Sequence, residues 1–267
     1  ASGVFSVTAV VTGTTASVEA EDLTSGQSAG DYIDIDYSSL TRCFLADSSP
    51  NALTYSEQID NAAWTKVRSS VVANSGTAPD GSSTGDLLLE DSSTNTHVLQ
   101  QAVTISSSAS DYCFTVALKA TARGWALITI SEATGSSSVS SYFNISTGAV
   151  GTTATGANWS NLRVSAGKDL GNGWFQCSIV ARKTNAATSL TTAIMLATAD
   201  GTASYTGNGA SSIGVWRPTL AQSSVPVRLT LVTSAATTGT SQTGNMINVK
   251  GGPASGAGSL VFGDWVE

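Results

Sequence analysis

Charge is what this sequence most lacks. Only 12% of its 267 residues are Asp, Glu, Lys or Arg, about half the ~25% of an average soluble domain. That shortage argues against charge-laced helices, and no stretch carries a convincing 3.6-residue apolar period. The 12 Lys and Arg are scattered and outnumbered by 19 Asp and Glu, for a net charge of -7. Phosphate contacts dominate nucleic-acid affinity, so a chain without a basic run is not expected to bind nucleic acid. His97 is the sole histidine, and Cys43, Cys113 and Cys177 show no C-x-x-C spacing. A zinc site would need more ligands, so neither metal nor cofactor is expected. Buried free thiols are the expectation for Cys113 and Cys177, with a disulfide between them as the alternative. No apolar run approaches the ~20 residues of a membrane span, and no signal-peptide pattern is present. The opening "ASGVF" reads as what remains after loss of an initiator Met, the expectation being a whole small protein made in a cytoplasm.

Gly, Ser, Thr and Ala fill the space that charge leaves, which suits many short strands joined by turns. Hydrophobic residues make up 41%, enough for a core. Residues 1–50 read as an extended arm or small hairpin layer: "VFSVTAVVTGTTASVEAE" is strand, turn at Gly13, strand, and "YIDID" alternates. Residues 51–233 alternate more steadily. In "DYCFTVALKA", Tyr112, Phe114, Val116 and Leu118 share one face, the period of two that marks a half-buried strand. Similar runs recur to "SIGVWRPTL", with "VPVRLTLVT" as one more strand, separated by turn signals such as Gly171-Asn172-Gly173 and Gly207-Asn208-Gly209. Residues 234–267 hold a Gly/Ser/Thr linker and a docking strand. The fold class expected is all-β, with an antiparallel sandwich or barrel as its body.

Chemistry is sparse. His97 has no matched nucleophile and no G-x-S-x-G, so a surface or strand-end role is expected. Asp34 and Asp36 share a strand face at a spacing a glycosidase could use, but nothing apolar surrounds them to raise a pKa. An oxygen-rich loop at residues 200–209 lacks the dense carboxylates of a dedicated Ca2+ site. Trp125, Trp174 and Trp216 lie in or beside strands and read as core. Trp159, in "TGANWSN", and Tyr205 and Asn208, in "SYTGNG", sit in polar turns and are the candidate glycan-binding residues. Phe5, Val7, Leu260, Phe262 and Trp265 are the candidate assembly contacts, because a lone apolar strand must dock somewhere.

One stretch, "NALTYSEQIDNAAWTK" (residues 51–66), offers a helix cap at Ser56 but too few residues for a stable helix. It resembles the N-L-L-T-Y-S-E-x-F-x-x-x-x-W-x-K opening of a jelly-roll domain common in tailed-phage virion proteins and similar to carbohydrate-binding modules. Further motifs follow in order: "TAPDGSSTGD" (77–86), "YCFTVALKA" (112–120), "GNGWFQC" (171–177) and "ADGTASYTGNG" (199–209). The resemblance spans about residues 51–220 and departs at Asn208, where the family usually has Asp, and at Arg217-Pro218, inserted in the last strand. It implies a jelly-roll sandwich with Tyr55 and Trp64 plugging one end. It also implies a non-enzymatic virion structural protein that decorates the capsid or forms a short head or tail appendage, assembled in the host cytoplasm. Its partners would be major capsid or tail proteins and its own copies, as a trimer by family habit, with host glycans touched from outside. A glycan-binding adhesin is the alternative reading and a glycosidase the second alternative.

Overall fold

The structure is a computed structural model that describes residues 51–132 and 137–233 in full, and residues 7–12, 15–20, 33–36, 246–249 and 257–263 as strand backbone. The chain divides into two compact units, one of residues 1–47 with 241–267 and one of residues 48–240. The first unit contains β1 (Val7–Thr12), β2 (Thr15–Ala20) and β3 (Ile33–Asp36). The second contains β4 (Thr65–Val67), β5 (Ser69–Gly76), β6 (Gly85–Glu90), β7 (Thr94–Thr96), β8 (Val98–Thr104) and β9 (Ser110–Ala120). It continues with β10 (Trp125–Glu132), β11 (Ser138–Asn144), β12 (Ala149–Thr155), β13 (Trp159–Val164), β14 (Lys168–Gly171) and β15 (Trp174–Lys183). β16 (Ser189–Ala197), β17 (Ser204–Thr206) and β18 (Ser212–Ala221) complete it, and β19 (Met246–Val249) and β20 (Ala257–Gly263) return to the first unit.

The second unit is the all-β antiparallel jelly-roll sandwich expected. One sheet runs β12-β11-β10-β16-β8-β4 and the other β13-β15-β9-β18-β6-β5, with β14 added beside β15. Between them lies the main core, in which Tyr112, Phe114, Val116 and Leu118 of β9 meet Ile128, Ile130 and Ile194 of the facing sheet. Among the described residues there is no helix. The segment after Ser56 is a chain of turns, with Gln58, Asn61 and Trp64 amides donating three residues back. Trp64 is buried and its indole N–H donates to the Tyr55 carbonyl (3.0 Å), closing the crossing between sheets.

Strand β9 departs from the half-buried expectation. Its second face is buried too: Cys113, Thr115 and Ala117 are inaccessible. The cover comes from residues 222–233, where "VPVRLTLVT" is not the strand its alternation suggests. Pro226 has no N–H to give a ladder, and the segment bonds instead to side chains and to the lead-in. Gln176 donates to the Val227 carbonyl (3.1 Å), the Thr230 amide donates to the Thr219 hydroxyl (3.0 Å), and the Ser56 amide donates to the Val232 carbonyl (2.9 Å). Ala117 lies there with Trp174 and Trp216, held by indole bonds to the Thr77 carbonyl and the Thr84 hydroxyl (both 3.0 Å).

The sheet also decides between the two cysteine expectations. Cys177 pairs with Val116 and faces the main core, while Cys113, three residues from Val116, faces the strap. Thiols on opposite faces of a sheet cannot bond, and both are free. The Arg217-Pro218 insertion is a β-bulge: the register of β18 on β9 shifts between Trp216 and Thr219, and Arg217 takes a left-handed φ of 46°. Arg217 holds that conformation by bonding Glu57 and Asp80 and lying over the Trp216 ring (4.1 Å), tying bulge, lead-in and Ala78–Gly81 turn together.

If the strap covers β9 as described, Ala117→Leu overpacks a closed layer. It should destabilise the protein by about 1–3 kcal/mol in urea unfolding; a neutral effect would mean that face is open.

Candidate functional site

The loop that holds Tyr205 and Asn208 begins with a tight turn after β16. The Thr198 amide donates to the Thr202 carbonyl (3.0 Å), and Gly201 supplies the positive φ of 74° that the reversal needs. β17 then pairs with β7, placing Tyr205 opposite Asn95. Two residues on, Gly207 passes so close to the β6–β7 connection that a Cβ there would lie 2.0 Å from the Asp91 carbonyl oxygen and 2.9 Å from His97 Nε2. Only glycine fits.

The loop is latched to Glu90, the last residue of β6, whose side chain is wholly buried. Arg123 grips it through two bonds, Nη2 to Oε1 (2.6 Å) and Nε to Oε2 (2.9 Å). The Tyr205 hydroxyl donates to Oε2 (2.6 Å) and the Asn208 amide to Oε1 (2.9 Å). All four bonds are made to a charged acceptor, which makes each stronger than a neutral one. Arg123 also lies over the Tyr205 ring (5.1 Å), and the His97 ring contacts the same Tyr205 ring, centroids 4.8 Å apart and planes 49° to each other. His97 is a strand-end residue but a buried one, its Nδ1 2.8 Å from the Arg68 carbonyl.

Burial alone would push the Glu90 carboxyl up; the bonds from Arg123, Tyr205 and Asn208 together outweigh it and hold the group below the ordinary carboxylate value. Burial, reinforced by the Glu90 carboxylate, pushes the Tyr205 phenol well above its ordinary value. A carboxylate with its oxygens taken and a phenol that resists ionising are poor acid–base groups. Asn208 is similarly occupied: its Oδ1 accepts from the Ala210 and Ser211 amides (2.9 and 2.8 Å) and its Nδ2 donates to the Ser211 hydroxyl (2.8 Å).

The structure thus brings Tyr205 and Asn208 together, on Glu90, and leaves Trp159 elsewhere. Trp159 does not stand in an open loop: it opens β13, is 4% exposed and packs in the main core. Phe5 and Trp265 lie outside the described residues, and Val7, Leu260 and Phe262 belong to strands described by backbone alone. Asp200, the carboxylate of the oxygen-rich loop, accepts from the Thr152 amide (2.7 Å) and hydroxyl (3.1 Å), pinning that loop to β12. Glu90 and Arg123 were not among the sequence candidates. The available signal was parity: in "DLLLE", Asp86 and Glu90 alternate with Leu88 on the buried side, and a charge in a core row needs a partner.

No family model and no curated protein matches this chain. Among the solved structures that resemble its fold are two. One is the enzymatically active domain of tailspike protein 4 of bacteriophage CBA120, at 12% identity and a TM-score of 0.40, over 64% of this chain but only 21% of that one. The other is TmCBM61 in complex with β-1,4-galactotriose, at 17% identity and a TM-score of 0.37, over 66% of this chain and 100% of that one. At that identity and overlap neither assigns a residue or a ligand here.

Glu90→Gln strands the Arg123 guanidinium and should cost about 3 kcal/mol at neutral pH. A carboxyl held below its ordinary value contributes fully above the unfolded pKa of about 4.3 and loses that contribution as the pH falls through the folded value. The gap between wild type and Glu90→Gln, measured by urea unfolding, should therefore close in acid; a gap independent of pH would contradict the latch.

Proposed function

We propose that this chain is a non-enzymatic structural protein of a phage virion, a capsid decoration or a short head or tail appendage, whose sandwich is the displayed body. The observation that carries the reading is that strands from both chain ends share one sheet. β20 pairs with β3, Leu260 opposite Ile33, and with β19, Phe262 opposite Ile247. The sandwich is thus inserted, in sequence, between the two halves of a second unit. A unit made of the segments that flank the sandwich suits attachment, to copies of itself as a trimer or to capsid or tail proteins. The loop after β16 supports the same reading, because Tyr205 and Asn208 are engaged in holding it to Glu90, and Asp200 in holding it to β12. No cofactor is called for, and the protein would reside in the virion after assembly in the host cytoplasm.

A glycan-recognising adhesin is the second reading, and one observation favours it. The outer positions of β8, β10, β11 and β16, among them part-exposed Gln100, Ser131, Ser140 and Thr191, carry no charge, and half-buried Trp125 and Tyr142 stand beside them. Hydroxyl and amide groups beside aromatic faces suit a neutral sugar.

Sedimentation of the full chain separates the readings. The structural reading expects an oligomer that Leu260→Asp with Phe262→Asp returns to monomer, and no sugar binding at millimolar concentration. A monomeric wild type that binds a glycan, and loses it in Trp125→Ala, would overturn it for the second.

A further inference from the structure

At one end of the sandwich a lysine, a glutamate and two asparagines meet between the sheets. Lys183 ends β15 in the same alternating row as Cys177, Ile179 and Ala181, which face the main core, and it is fully buried. Its Nζ donates to the carbonyls of Asn185 (2.6 Å) and Ser107 (3.3 Å). Glu132 comes from the opposite sheet, in the row of Ile128 and Ile130, and is 4% exposed. Its Oε2 accepts from the side-chain nitrogen of Asn158 (3.1 Å) and its Oε1 from that of Asn185 (2.8 Å).

Asn158 is placed beside Lys183 by the backbone. Trp159 pairs with Lys183, and the Thr184 amide donates to the Asn158 carbonyl (2.9 Å). The Ser137 hydroxyl fixes the Asn158 amide from the other side (3.1 Å). Trp159 and Tyr112 pack in the main core here, and the Trp159 indole N–H and the Tyr112 hydroxyl, both buried, bond nothing among the described residues. A lysine ending one strand and an asparagine in the turn that leads into the neighbouring strand, with a buried carboxyl against the amide nitrogen, is an arrangement for acyl transfer.

We propose that Lys183 and Asn158 join through an intramolecular isopeptide bond, with Glu132 moving the proton. The Lys183 nitrogen attacks Cγ of Asn158, a bond forms between them, and the Cγ–Nδ2 bond breaks. Glu132 takes a proton from the lysine nitrogen and delivers it to Nδ2, which leaves as ammonia. One amide replaces another, so no oxidant or reductant is needed. Burial holds the Lys183 amine below its ordinary value, against the opposing pull of the Glu132 charge, which favours the neutral nucleophile. Closure requires the lysine to rotate from the Asn185 carbonyl towards Asn158. The product ties the end of β15 covalently to the start of β13, a cross-link suited to a protein that bears load in a particle and independent of whether it does.

The test is the intact mass of the purified full chain, followed by mapping of its digest. Wild type should weigh less than its sequence by one ammonia, and the digest should contain a branched peptide joining Lys183 to Asn158. Lys183→Arg, Glu132→Gln and Asn158→Ala should each regain the sequence mass. A wild type at the sequence mass overturns the proposal, whether or not the variants fold. So does an ammonia loss that maps to the Asn172-Gly173 or Asn208-Gly209 turn, where it would be a succinimide.

Discussion

Strand β9 has no solvent face, and the rest of the body is arranged around that. Tyr112, Phe114, Val116 and Leu118 need a second sheet over them, and Cys113, Thr115 and Ala117 on the other side need a second cover. Fully burying one large apolar side chain is worth about 1.5–3 kcal/mol, so leaving either side open would forfeit a large part of a typical domain's net stability. The first demand produces the sandwich. The second produces the strap of residues 222–233 and the tryptophan layer under residues 77–84, and it explains why the chain continues past β18 before it leaves the body.

The same economy governs the polar groups. Every charge that the core rows admit is answered locally: Glu90 by Arg123, Tyr205 and Asn208; Asp86 by the Ile59 and Asn74 amides; Arg217 by Glu57 and Asp80. These latches fix long connections that the strands alone leave undetermined. They also occupy, at these positions, the groups that acid–base chemistry would need. The Lys183–Asn158 proposal would make the opposite end of the sandwich rigid by covalent means.

Much of this was legible in the sequence because a period of two is a strong signal. β9, β10, β15 and β18 follow from alternation and flanking turns, and the Asn172-Gly173 pair announces the positive φ values of 55° and 79° found in the β14–β15 turn. What was not legible depends on contacts between distant segments. "VPVRLTLVT" alternates like a strand, and only its packing over the second face of β9 makes it a strap. Trp159 looks like a loop residue because Gly156 and Asn158 precede it, but its neighbour across the ladder is buried Lys183. Tyr205 and Asn208, expected from the sequence as glycan-binding candidates, are bonded to Glu90. The partner that explains them, Glu90, lies 115 positions from Tyr205 in the chain.

The most direct measurement of the central claim is hydrogen exchange on the intact protein, resolved along the chain. Amides of residues 112–118 should exchange only through global unfolding and be the slowest set, with the edge strand β5 exchanging sooner through local opening. Exchange of the β9 amides as fast as those of β5 would mean that one of its faces is open, and the architecture described around it would not stand.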